Sequence, residues 1–127
     1  MTRLLLSMWL LLFCGCGGPK LSDDREVSLE IGEIKTILVD SVSREQTITV
    51  KASSPGAPID LHVYLPQYEE AIERKITLGK PPENLLASQV NAEEASVSAV
   101  VPARQETVIR LQPAGRTAAT VHLTISN

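Results

Sequence analysis

The chain has 127 residues, a formal net charge of −3 and a hydrophobic fraction of 43%. That length leaves room for one domain once any export segment is set aside, and about 100 residues suffice to bury a self-supporting core. There is no basic stretch of the kind that neutralises phosphates, so nucleic acid is not expected as a partner.

The N-terminus reads MTRLLLSMWLLLFCGCGGPK. Arg3 supplies a positive start, and Leu4 to Phe13 form an apolar run. That run is too short to cross a hydrocarbon core of about 30 Å as a helix, and it has the length of a signal-peptide core. Phe13, Cys14, Gly15 and Cys16 follow in the order of a bacterial lipoprotein signal, which this segment resembles. In that family small residues precede a cysteine that becomes the lipidated N-terminus. Gly15 fits; Phe13 stands where Leu is usual and Cys14 where Ala or Ser is usual. Cys16 is the expected acceptor, because Cys14 would need cleavage directly after bulky Phe13. The resemblance implies two or three acyl chains, which hold a protein stably on a bilayer. Gly17 is not the Asp that retains many such proteins at an inner membrane, so the analogy favours the outer membrane of a host with two membranes. A plain secretory signal cut between Gly15 and Gly18, or an uncleaved anchor, are the alternatives.

The expected organisation is therefore a signal peptide over 1–15, a lipidated Cys16 with its tether over 16–25, and a domain over 26–127. Both cysteines sit at the signal boundary, so the domain must hold together without a disulfide.

From Glu26 onward apolar and polar residues alternate with period two, the pattern of half-buried strands. Val27, Leu29 and Ile31 lead, then Gly32-Glu33 breaks the run. Ile34 to Val39 are apolar and β-branched, with an ambiguous inward face. Ile48, Val50 and Ala52 alternate up to the turn-forming SSPGAP, Ser53 to Pro58. Ile59, Leu61, Val63 and Leu65 follow, ended by Pro66. Gln67 to Lys75 has helical spacing at Tyr68, Ala71, Ile72 and Lys75 and reads as one or two helical turns. Leu85 to Val90 reads either as a short strand or as a helical turn. Val97, Ala99 and Val101 form a strand closed by Pro102. Thr107, Ile109 and Leu111 form another before the turn Pro113-Ala114-Gly115. Ala119, Val121, Leu123 and Ile125 form the last.

Strands at this spacing, with turns between them and no alternation with long helices, predict an all-β antiparallel sandwich, jelly-roll or Ig-like, of about seven or eight strands with one short helical insertion. One face of each strand is expected to meet the core and the other to meet water.

The order of features from Glu26 to Asn127 is similar to the bacterial prepeptidase C-terminal type of domain. Leu29-Glu30-Ile31-Gly32-Glu33 resembles that family's glycine turn before its second strand, and Ile59 to Leu65 its central strand. Leu86-Ala87-Ser88 resembles the stretch after its long loop, and Pro102-Ala103 its Ala-Gly turn. The chain departs in having no Gly after Ala103, no Tyr in the following strand and no Asp-rich calcium loop. The resemblance implies a β-sandwich accessory without catalysis, and carries over no site residues.

Beyond the N-terminal run only Tyr64 and Tyr68 are aromatic, too few for a sugar platform, a base-stacking surface or a polyproline groove. His62 and His122 are the only histidines, and each is expected on the polar, exposed side of its strand. If those strands were neighbours, the two rings would make half a metal site, still short of a zinc ligand set. Glu69, Glu70 and Glu73 read as a solvated helix face beside Arg74 and Lys75, and Glu93 and Glu94 as turn residues. No nucleophile elbow, His-Glu-x-x-His or phosphate loop occurs. The expectation is a non-enzymatic lipoprotein whose sole site residue is Cys16, with no catalytic residue, metal or cofactor. Its expected partners are the bilayer and a protein of the cell envelope. A small-ligand or metal carrier in the envelope is the alternative.

Overall fold

The computed structural model describes residues 21–127; the signal segment, with Cys14, Cys16 and the expected cleavage site, lies outside the described residues. The strands are β1 (Ser22–Leu29), β2 (Lys35–Val39), β3 (Gln46–Ser53), β4 (Ile59–Tyr64), β5 (Ala87–Ala92), β6 (Glu94–Val101), β7 (Thr107–Pro113) and β8 (Ala119–Ser126). Between β4 and β5 a 3-10 turn (Pro66–Tyr68) leads into helix α1 (Glu69–Thr77).

Two four-stranded sheets form, in the orders β1-β8-β3-β6 and β2-β7-β4-β5. All ladders are antiparallel. Strand β1 pairs with β8, β2 with β7, β3 with β6 and β4 with β5. This nesting is a long hairpin rolled over on itself, which gives the further pairs β3-β8 and β4-β7. It is a jelly roll, one of the two sandwich types the alternation predicted.

Period two builds the core directly. Ile48, Val50 and Ala52 of β3 and Val121, Leu123 and Ile125 of β8 face inward from the first sheet. Ile59, Leu61 and Val63 of β4 and Ile109 and Leu111 of β7 meet them from the second. Each fully buried side chain of this size contributes ~1.5–3 kcal/mol, which is how the fold stands without a disulfide.

Several boundaries differ from the sequence reading. Strand β1 starts at Ser22 rather than Glu26, because pairing with Ser126 to His122 extends it through polar residues that carry no alternation signal. Residues 22–25, expected in the tether, are thus strand. Pro113, read as the first turn residue, ends β7 and lies opposite Ile59. The helix runs two residues past Lys75 and stops at Gly79 (φ +69). There Gly79 N–H donates to Ile76 O (3.0 Å) and Lys80 N–H to Lys75 O (2.9 Å), the two bonds of a glycine C-cap. The open choice at 85–90 resolves as strand β5.

The two sides of the sandwich differ. On one, the Gln89 side chain ties β5 to β6, donating to Glu94 O (3.3 Å) and accepting from Ser96 N–H (3.0 Å). On the other, edges β1 and β2 flank grooves, one of about 470 Å³ lined by Leu21, Asp23, Ile37, Val39 and Ile125 among others.

Candidate functional site

Helix α1 decides what the second sheet offers. Its apolar residues Ile72 and Ile76, with Tyr68 before it and Leu85 after it, pack on Tyr64 and Val108. Tyr64 lies opposite Val108 in the β4-β7 ladder. Both belong to the face turned away from the core, since the intervening Val63 and Ile109 point into it. The outer face of the second sheet is therefore partly dry, and the expectation of water on the outer side of every strand fails there.

One polar row crosses that face. Thr36 of β2 lies opposite Arg110 of β7, Arg110 opposite His62 of β4, and His62 opposite Ser88 of β5. The outer two, Thr36 and Ser88, are exposed; the inner two are not, with His62 at 4% and Arg110 at 2%. The expected surface position of His62 is thus corrected: its ring sits in the middle of a sheet beside a buried guanidinium. His62 Nδ1 lies 3.0 Å from Ser88 Oγ. Burial lowers the affinity of the His62 ring for a proton, the nearby charge of Asp60 raises it and that of Arg110 lowers it; the net shift is downward from 6.5.

Arg110 is the anomaly. Its Nε and Nη1 are enclosed without a hydrogen-bond partner. Among the described residues, none of the ion pairs includes it. Asp60, the carboxylate on the neighbouring strand, is engaged elsewhere: it accepts from Asn91 N–H (2.8 Å) and from Gln112 Nε2 (3.3 Å). The Tyr64 hydroxyl is also buried and unpartnered. Its pKa is pushed up to about 12 by burial first, then by the charge of Glu69, opposed by Arg110 and aided by Glu73. The carboxylates of α1 and the guanidinium thus act on the same hydroxyl from within interaction range.

A Ser-His pair near an Asp invites comparison with a catalytic triad. The geometry does not follow that design. Ser88 meets Nδ1, the nitrogen an orienting carboxylate would hold, and Asp60 bonds Asn91 and Gln112 instead. His122 lies in β8 of the first sheet and His62 in β4 of the second, so the conditional half metal site does not form. The exposed His122 ring bonds Asp24 Oδ1 at 2.7 Å. Among the described residues no group of three His, Cys, Asp or Glu could hold a metal. Glu70 pairs with Arg74 at 3.5 Å on the solvent side of α1, as read. Glu93 accepts from Gly56 N–H and Glu94 Oε1 from Ser53 Oγ (2.6 Å), and Glu94 opens β6.

The sequence reading missed Arg110 and Tyr64. The available signal was α1 itself: an amphipathic helix needs an apolar face to cover, and only an outer sheet face remained.

The sequence matches no family model and no curated protein. Its fold is shared with solved structures. The Yersinia pseudotuberculosis-derived mitogen superimposes with a TM-score of 0.58 at 6% identity, over 85% of this chain and 86% of that one. The pre-peptidase C-terminal domain of a Bacillus anthracis collagenase gives 0.56 at 16% identity, over 83% and 89%. A periplasmic inhibitor of g-type lysozyme from Aeromonas hydrophila gives 0.52 at 14% identity, over 87% of each. At these identities the likeness is one of fold, and in that sense the resemblance to the prepeptidase C-terminal type holds.

Proposed function

We propose that this chain is a lipid-anchored, non-catalytic module of the cell envelope that binds or packs against another envelope component along its open β1-β2 side. The observation that carries the reading is the edge strand β2. Its Leu38 is 56% exposed, Ile34 just before it 48%, and Ile31 in the preceding turn 64%. An unpaired edge with exposed apolar side chains is a surface on which another chain can add. The Cys16 signal supports the anchor. With β1 starting at Ser22, the six chain steps from Cys16 span at most about 20 Å, so the open side would lie close to the bilayer. The fold shared with a periplasmic inhibitor is compatible with that location.

Two measurements test this. The intact mass of the protein extracted from its native membrane should exceed the chain starting at Cys16 by its acyl groups, and Cys16→Ser should release the protein from membranes. A photo-crosslinker at Leu38 should capture a discrete envelope protein, and one at exposed Ser98 of β6, at the opposite edge of the sandwich, should not. An unacylated mature form starting elsewhere refutes the anchor. Equal or absent capture at both positions refutes the interface.

A further inference from the structure

We propose that the row Thr36-Arg110-His62-Ser88 is a binding site for a single carboxylate, with Arg110 supplying the charge. A guanidinium keeps its proton under all ordinary conditions, and burying such a charge unpaired is costly. Arg110 is 2% exposed, and its Nε and Nη1 find no acceptor among the described residues. The one carboxylate on the adjoining strand that could have matched it, Asp60, is held by Asn91 and Gln112. The fold therefore spends a central position of β7 on a cation that it does not itself neutralise.

The surroundings set the ligand class. Two further hydroxyls lie in the same row, Thr36 beside Arg110 and Ser88 beside His62. Thr36 is exposed on an edge strand, which puts the guanidinium one strand from open solvent. A guanidinium offers planar donors suited to a planar carboxylate. The charge balance argues against a more highly charged anion. Burial lowers the affinity of His62 for a proton, Asp60 opposes this and Arg110 adds to it, and Glu69 and Glu73 of α1 act on the adjoining Tyr64 hydroxyl. One fixed positive charge with two carboxylates in range suits a monoanion better than a phosphate dianion. The carboxylate could be free in solution or be an acidic side chain of a partner protein, and the test separates these sources.

The probes are sodium acetate, with acetamide as the neutral isostere and sodium chloride at matched ionic strength. The full mature chain in detergent is followed by thermal unfolding and by the NMR signal of the Arg110 Nε–H. Acetate is expected to raise the unfolding temperature above the chloride control and to shift the Arg110 Nε–H signal saturably, with acetamide doing neither. Arg110→Met should weaken acetate binding about tenfold or more. If that variant does not fold, the Nε–H signal of the unaltered chain still decides. A capped Gly-Glu-Gly peptide binding more tightly than acetate, with Gly-Gln-Gly inactive, would assign the source as a partner's side chain; acetate alone binding would assign a free carboxylate. Acetate and chloride acting alike, with the Nε–H signal unmoved, would overturn the proposal and leave ordinary hydration as the account of Arg110. None of these readouts depends on the lipid anchor or on the β2 edge, so this site and that reading stand or fall separately.

Discussion

Truncating Ile72 to Ala tests whether α1 is a docked element or an independent appendage. Ile72 is 1% exposed and packs on Tyr64 and Val108, beyond the outer face of the second sheet. Removing three carbons forfeits about 0.8 kcal/mol each, or about 2.4 kcal/mol of transfer energy. A rigid cavity of roughly 80 Å³ would add about 2 kcal/mol at ~24 cal/mol per Å³. That second contribution should largely vanish here. The helix has nine residues with one side open to water, so it can settle onto the sheet and close the gap. Ile109→Ala is the matched control, since Ile109 is 0% exposed and locked between the two sheets. The expected losses are about 2.5 kcal/mol for Ile72→Ala and about 4 kcal/mol for Ile109→Ala. Urea unfolding gives both values, and native-state hydrogen exchange locates them. Ile72→Ala should lower protection in Glu69–Thr77 more than in β3 or β8; Ile109→Ala should lower all of them together. Equal losses for the two variants, or unchanged exchange in α1 after Ile72→Ala, would refute this picture of the helix as a lid held by one small apolar cluster.

Two further outcomes follow from local geometry and from burial. Arg104 sits at φ +63, where a side chain costs about 1–2 kcal/mol and Gly costs nothing sterically. After subtracting the greater unfolded-chain entropy of Gly, Arg104→Gly should stabilise the fold by about 0.5 kcal/mol, seen as a higher urea midpoint; the Arg104 N–H bond to Val42 O (2.7 Å) is kept, and a lower midpoint would contradict the strain argument. The His62 ring has its pKa lowered below 6.5 by burial, so the unfolded chain takes up a proton that the folded chain resists. Stability from this group is therefore complete above pH 6.5 and is lost as the pH falls through the lowered folded value; His62→Gln should flatten that acid slope, and an unchanged slope would show that other groups cause it.

The two histidines show where the sequence stops being informative. His62 lies between Leu61 and Val63, and His122 between Val121 and Leu123. Their local patterns are nearly the same, and both predict an outward ring. Both rings do point away from the core. One is 4% exposed and the other forms a solvent-side pair with Asp24; the outer face that carries His62 is the one on which α1 packs. Nothing within a few residues of either histidine encodes that difference. The same holds for Arg104: the sequence shows no Gly after Ala103, yet the residue there takes a positive φ. The early start of β1 was hidden for the opposite reason, since Ser22 to Glu26 are polar throughout and become strand only by pairing with β8.

By itself the sequence determined the class of the domain, because period-two alternation, proline stops and the Ser53 to Pro58 turn are local properties of neighbouring residues. It also determined that a short amphipathic helix interrupts the strands, and that Cys16 follows a signal-like run. The tertiary structure decided which strands are neighbours, that the long hairpin rolls into β1-β8-β3-β6 over β2-β7-β4-β5, and that one outer face is covered. Those are contacts between residues far apart in the chain, such as the Arg110-His62 pair. Their free energy depends on the whole fold closing at once, and no local pattern records it.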